Sequence, residues 1–86
     1  MNLLTHKEIV MNRSQNLQDI MEIMRDLLDD ESLVLTEKTV MAELEGWDSL
    51  VFVGLMASLE SKYNVSFDMN RFQASHTVGE IIDQLN

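Results

Sequence analysis

Few side chains in this sequence are fit to do chemistry, and the most promising two are neighbours. Asp48 and Ser49 lie in the run Glu45-Gly46-Trp47-Asp48-Ser49-Leu50, followed at once by the apolar Val51-Phe52-Val53. Gly46 supplies the backbone freedom that a tight turn needs. Asp48 has the short acceptor side chain favoured at a helix N-cap. Ser49 is then expected in the first helical turn, its hydroxyl at the lip of the helix. Unpaired backbone N–H groups and the positive end of the helix dipole lie there, so a phosphate ester on Ser49 is stabilised by position. In isolation an Asp-Ser pair reads as a cap and nothing more; the rest of the chain decides whether it has a second role.

No other constellation supports catalysis. Cys is absent, and no Gly-rich phosphate loop is present. Of the two His, His6 has no partner at ligand spacing, and His76 stands just before a cap and reads as a turn residue. Asp29-Asp30-Glu31 lacks the alternating oxygen ligands and central Gly of a calcium loop. Carboxylates scattered over solvated helix faces make no acid/base pair without a cleft, and a bundle this small leaves little room for one. Ser49 has no evident base to activate it. The expectation is a non-enzyme with no catalytic residues and no metal site.

Composition narrows the class further. The chain has 86 residues, near the lower limit at which one core suffices without staples, and neither Cys nor Pro. Stability must come from helix packing, for which 45% hydrophobic residues are adequate. Fifteen acids against six bases give a net charge of -9, which repels nucleic acid and anionic lipid surfaces and attracts basic protein surfaces. No apolar run approaches membrane-spanning length, and Met1-Asn2-Leu3-Leu4 lacks the basic region and long apolar core of a signal peptide. A cytoplasmic location follows as the expectation.

Periodicity then supplies the elements that would position Ser49. Residues 1–15 are expected to be a flexible leader or a short extra helical turn opened by Thr5-His6-Lys7-Glu8, with the folded domain over 16–86. From Leu17, the residues Ile20, Met21, Met24, Leu27 and Leu28 fall at helical spacing, with Asn16 as the expected cap and an end near Asp29. Residues 31–48 form a long connection, expected to be packed down by Leu33, Val34, Leu35, Val40, Met41 and Leu44, with a helical turn within Lys38 to Leu44. A second long helix is expected from Ser49 to Tyr63, its core stripe being Phe52, Leu55, Met56, Leu59 and Tyr63, with Asn64 as a left-handed stop. Asp68 should cap a brief helix through Phe72. Thr77-Val78-Gly79-Glu80 is a capping box opening a last helix on Val78, Ile81, Ile82 and Leu85. Met21, Met24, Met56 and Met69 are expected to fill the interior. The predicted fold is all-α: a small bundle of three main helices and one short helix, with a long first loop.

One surface is left over. Leu50, Val51 and Val53 flank Ser49 and cannot all reach the core, while Gly54, Ala57, Ser58 and Ser61 continue that surface with small side chains. Either the long loop covers them, or Leu50, Val51, Val53, Gly54 and Ala57 form a docking face for a partner.

With its parts in this order, the chain resembles the acyl carrier protein family over roughly residues 17 to 85. The resemblance is carried by Gly46-Trp47-Asp48-Ser49-Leu50, by Leu35-Thr36 and Thr39 leading to Leu44, by Leu59-Glu60 and Tyr63-Asn64-Val65, and by Thr77-Val78-Gly79-Glu80-Ile81. It implies an acyl-carrier-like bundle that does no chemistry itself. A phosphopantetheinyl transferase would move 4′-phosphopantetheine from coenzyme A onto Ser49 with a magnesium ion, Asp48 assisting the metal. Acyl intermediates would ride as thioesters on the arm's thiol, passed between acyl-loading and acyl-transferring enzymes by a chain acting as a monomer. Members of the family usually carry several acids along the second helix; here the matching positions hold Val51, Gly54 and Ser61, and only Glu60 remains. That departure implies more apolar, more selective docking and a specialised pathway, polyketide, lipid or similar. The competing readings are an aminoacyl or peptidyl carrier on the same serine, which Trp47-Asp48 and the acidic balance disfavour, and an unmodified helical interaction module gripping a partner through Leu50, Val51 and Val53.

Overall fold

The computed structural model describes residues 12–86. Among them are four α-helices: α1 (Arg13–Leu27), α2 (Ser49–Tyr63), the short α3 (Met69–Gln73) and α4 (Val78–Leu85), with a 3-10 turn at Met41–Glu43 in the long first loop. This is the predicted architecture. Helix α1 packs against both α2 and α4.

The core is made where the apolar stripes meet. Ile20 and Met24 of α1, Leu55, Met56, Leu59 and Tyr63 of α2, Phe72 of α3, and Val78, Ile81, Ile82 and Leu85 of α4 are buried, and the loop contributes Leu35 and Met41. Each fully buried aliphatic or aromatic side chain stabilises the fold by about 1.5–3 kcal/mol relative to exposure. Phe52 is half-buried and packs against this cluster, completing the predicted α2 stripe. The helix ends follow local chemistry. Asn64 takes φ 55° and stops α2, while the Thr77 hydroxyl and the Glu80 carboxylate cap α4 reciprocally. Asp68 accepts from the N–H groups of Asn70 and Arg71 to open α3.

Three expectations need correction. The cap of α1 is Asn12, whose side chain accepts from the Gln15 N–H, so the helix opens a turn before Asn16. Residues 1–11 of the expected leader lie outside the described residues. Asn16 is instead fully buried within α1: its Nδ2 donates to the Tyr63 hydroxyl at 3.2 Å and its Oδ1 accepts from Asn86 Nδ2 at 3.3 Å. Hydrophobic periodicity passes over such a residue, because its burial depends on polar partners brought from elsewhere in the chain. The second correction is Val34, which is exposed although its neighbours Leu33 and Leu35 pack inward. The third is Met69, exposed at the start of α3 rather than in the interior.

The long loop is tied down rather than loose. Arg25 Nε donates to the Leu33 carbonyl at 2.8 Å, and Thr36 and Thr39 close a turn through Thr36 N–H to Thr39 Oγ1 at 2.9 Å. Beyond that turn the chain pairs with the entry to α4: Val40 and Thr77 form an antiparallel bridge, Met41 N–H donates to the His76 carbonyl at 3.0 Å, and Val78 N–H donates to the Thr39 carbonyl at 3.0 Å. Gly79 N–H reaches the Glu37 carbonyl at 2.8 Å. A Cβ at Gly79 would lie 2.9 Å from that same oxygen, so the close approach requires glycine. Arg13 adds ion pairs to Glu37 at 2.6 Å and Asp83 at 2.8 Å, joining α1, loop and α4 at a half-exposed position where such pairs contribute modestly.

Candidate functional site

The loop delivers Ser49 through a short series of constrained residues. Trp47 N–H donates to the Leu44 carbonyl at 3.1 Å, and Gly46 turns the chain with φ 89°. Asp48 is fully extended and its Oδ1 accepts from the Val51 N–H at 2.9 Å, the N-cap bond expected from the sequence. Its carbonyl takes the Phe52 N–H at 3.0 Å. Ser49 is therefore the first residue of a 15-residue helix, and it is exposed. Among the described residues the N–H groups of Ser49 and Leu50 have no protein acceptor. Exposed hydroxyl, open amides and the positive helix end together suit a phosphate ester on Ser49. The second carboxylate oxygen of Asp48 likewise has no protein partner among the described residues.

The sequence-predicted docking residues divide between two environments. Leu50 is 80% exposed and Val53 47% exposed, and Ala57 is exposed on α2. Val51 is half-buried and packs against the core cluster. Gly54 faces α1, where a Cβ would meet Leu27 Cδ2 at 3.0 Å, so its small size serves helix packing. Glu60, the one acid retained from the family's pattern on this helix, accepts the Phe67 N–H at 2.9 Å and thereby secures the link after α2.

Tertiary structure also brings to Ser49 residues that the sequence did not connect with it. Ser49 and Asp48 stand at a surface groove of about 440 Å³ that is also lined by Ala42, Trp47, Phe52, Gln73, Ser75 and His76. Trp47 meets Phe52 edge-on at 6.2 Å between centroids, and Phe52 lies 5.1 Å from Phe72, which in turn lies 4.8 Å from Phe67. An aromatic series thus runs from the loop before Ser49 into the core, which fixes the Trp47 ring relative to the helix start. His76 is the turn residue predicted: its N–H donates to Glu80 Oε1 at 2.6 Å, as an extension of the α4 capping box. Its place beside Ser49 arises from the Val40–Thr77 bridge, which no local pattern encodes. Among the described residues no group of three or more His, Asp or Glu could hold a metal ion. No described helix is long and apolar enough to cross a membrane.

Comparison with known proteins agrees with this geometry. The family described as phosphopantetheine attachment site matches residues 18–85. The chain is similar to a holo acyl carrier protein from Geobacter metallireducens, solved by solution NMR, with 34% sequence identity, a TM-score of 0.72, and coverage of 81% of this chain and 80% of that one. No curated protein matches the chain. A capped helix start presenting an exposed serine, the family match over most of the sequence and the shared fold lead to one conclusion: the chain belongs to the acyl carrier protein family, whose covalent cofactor is 4′-phosphopantetheine.

Proposed function

We propose that Ser49 is the attachment point for 4′-phosphopantetheine and that the chain is a carrier, not a catalyst, serving one specialised biosynthetic pathway such as polyketide or lipid assembly. The observation that carries this reading is the exposed Ser49 hydroxyl on the first residue of a long, capped helix. When bound, the arm supplies a thiol on which acyl groups are held as thioesters, which a chain without Cys cannot supply itself. The protein's own part is to hold the serine outward for a phosphopantetheinyl transferase, to lend its open amides to the phosphate, and to keep the cargo tethered. A tether raises the effective concentration at each partner enzyme to the millimolar range or so without any new contact. Asp48 uses one carboxylate oxygen on the cap and leaves the other for a cation brought with the transferase and coenzyme A.

The specialised role is supported by what surrounds the serine. Leu50 and Val53 present apolar surface beside Ser49 where a more acidic carrier would present charge, and Glu60 is engaged with Phe67. Docking enzymes should therefore meet an apolar patch set in an acidic molecule of net charge -9. The reading places the protein in the cytoplasm as a monomer. Incubation with coenzyme A, magnesium and a broad-specificity transferase tests it: intact mass should rise by one phosphopantetheine, and Ser49→Ala should abolish the gain. Unchanged mass for the parent chain, or a gain that survives Ser49→Ala, refutes it.

A further inference from the structure

The first loop is fastened to α1 at two points, and one of them is a sulfur. Met21 and Arg25 stand one helical turn apart on α1 and share a face. Arg25 Nε donates to the Leu33 carbonyl at 2.8 Å, and Met21 Sδ accepts the Leu35 N–H at 3.4 Å. Leu35 is 3% exposed, and among the described residues its N–H has no other acceptor. A buried backbone donor that depends on a thioether is held weakly, because that sulfur is a poor acceptor.

We propose that Met21 is a reversible oxidation site whose sulfur works as a redox-sensitive latch on the first loop. The polypeptide has no Cys, so methionine is its only sulfur. Met24, Met41 and Met56 are buried, whereas Met21 is partly exposed at the edge of the core, where a small oxidant can reach it. Met69 is more exposed, at 46%, but among the described residues its sulfur accepts no hydrogen bond, so its oxidation releases nothing. The donor of oxygen is a peroxide. Its O–O bond breaks, an S–O bond forms at Met21 Sδ, the sulfur gives up two electrons, and with hydrogen peroxide the leaving group is water. A methionine sulfoxide reductase reverses the step, a dithiol becoming a disulfide while the oxygen leaves as water.

The latch cannot survive the added atom. The 3.4 Å between Sδ and the Leu35 nitrogen leaves no room for an oxygen, so one placed there pushes the Leu35 backbone off α1. An oxygen on any other side withdraws electron density from the sulfur and sets a polar group beside apolar neighbours. Either way Leu35 loses its only acceptor. Pairing of the loop with the entry to α4 begins at Glu37, so the release is confined to residues 33–36.

The test treats the full chain with dilute hydrogen peroxide and follows it by peptide mapping and hydrogen exchange. Mapping of the folded protein should place oxygen on Met21 and Met69 while Met24 and Met41 stay reduced. Protein oxidised at Met21 should exchange the Leu35 amide faster by about tenfold, as loss of one hydrogen bond implies. The Ile81 amide, within α4, should keep its rate. Methionine sulfoxide reductases with dithiothreitol should restore the Leu35 rate. Met69→Leu should leave this response intact. Met21→Leu conserves volume but removes the acceptor, so it should start with fast Leu35 exchange and ignore peroxide. Leu35 protection that survives oxidation of Met21 overturns the proposal. So does a rise shared equally by Leu35 and Ile81, a Met21 that oxidises no faster than Met24, or a peroxide response that persists in Met21→Leu.

Discussion

Tyr63→Phe tests what holds α2, and with it Ser49, against the rest of the bundle. Tyr63 is 4% exposed at the end of α2, and its hydroxyl donates to Asp19 Oδ2 while accepting from Asn16 Nδ2 at 3.2 Å. Asn16 and Asp19 are both buried on α1. Removing one oxygen preserves the ring packing but leaves two buried polar groups short of a partner. Asp19 keeps Gln15 Nε2 at 3.0 Å and Lys62 at 3.9 Å, both on its other oxygen, so the loss at Oδ2 is uncompensated. At about 1–3 kcal/mol for each of two groups the sum is about 2–6 kcal/mol. Because Asn16 and Asp19 each keep another hydrogen bond, the expected destabilisation lies in its lower part, about 2–4 kcal/mol, a large fraction of the stability of a small domain. Thermal unfolding should register it as a fall of roughly 10–25 °C in Tm, and urea titration as a lower midpoint with an unchanged slope.

The same residue predicts an alkaline signature. Burial first, and then the hydrogen bond to Asp19, push the Tyr63 hydroxyl up from 10.0 to about 12. The folded-state value is the raised one, so this contribution is fully present below pH 10 and is lost as pH rises through about 12. Between those limits the unfolded chain releases a proton that the folded chain retains, which is worth at most about 3 kcal/mol when complete. The parent should therefore lose stability more steeply than Tyr63→Phe over that window. A Tyr63→Phe variant within about 0.5 kcal/mol of the parent, a difference typical of an uninvolved surface site, with a parallel alkaline profile, would refute the reasoning.

Further outcomes follow from the cap, the loop and the exposed patch. Asp48→Ala removes the acceptor for the Val51 N–H and should cost about 0.5–2 kcal/mol in urea unfolding. Asp48→Asn keeps the cap, so its stability should match the parent while phosphopantetheine transfer slows, which mass-based time courses would separate. Gly79→Ala drives a Cβ against the Glu37 carbonyl and should cost about 1–3 kcal/mol in thermal unfolding, with protection lost at the Thr39 to Val78 pairing in hydrogen exchange. Leu50→Asp should leave Tm unchanged, because the side chain is 80% exposed, while acyl loading by the cognate enzyme falls. Val51 is not an equivalent test, since its half-buried side chain would confound docking with folding.

Much of the bundle was legible before any coordinates. The bounds of α2, the left-handed stop at Asn64, and the caps at Asp48, Asp68 and Thr77 were read from the sequence because each is decided within about one helical turn, by a side chain reaching its own neighbouring backbone. The exposed serine at the helix start was legible for the same reason, and the family resemblance attached to it gave that serine a meaning. Only the tertiary structure decided which side of an apolar residue's environment would be filled. Helix α2 is apolar around much of its surface, so periodicity could not say that Gly54 would face Leu27 while Leu50 and Val53 stayed outside. Nor could it place Asn16 in the interior or Val34 and Met69 on the surface. The groove at Ser49 is the clearest case. Trp47 lies two residues away in the chain, but His76 arrives through backbone pairing between the first loop and the entry to α4, and Gln73 with the end of α3. Hydrogen bonds between segments so far apart depend on how whole elements stack, and that information resides in no local stretch of residues.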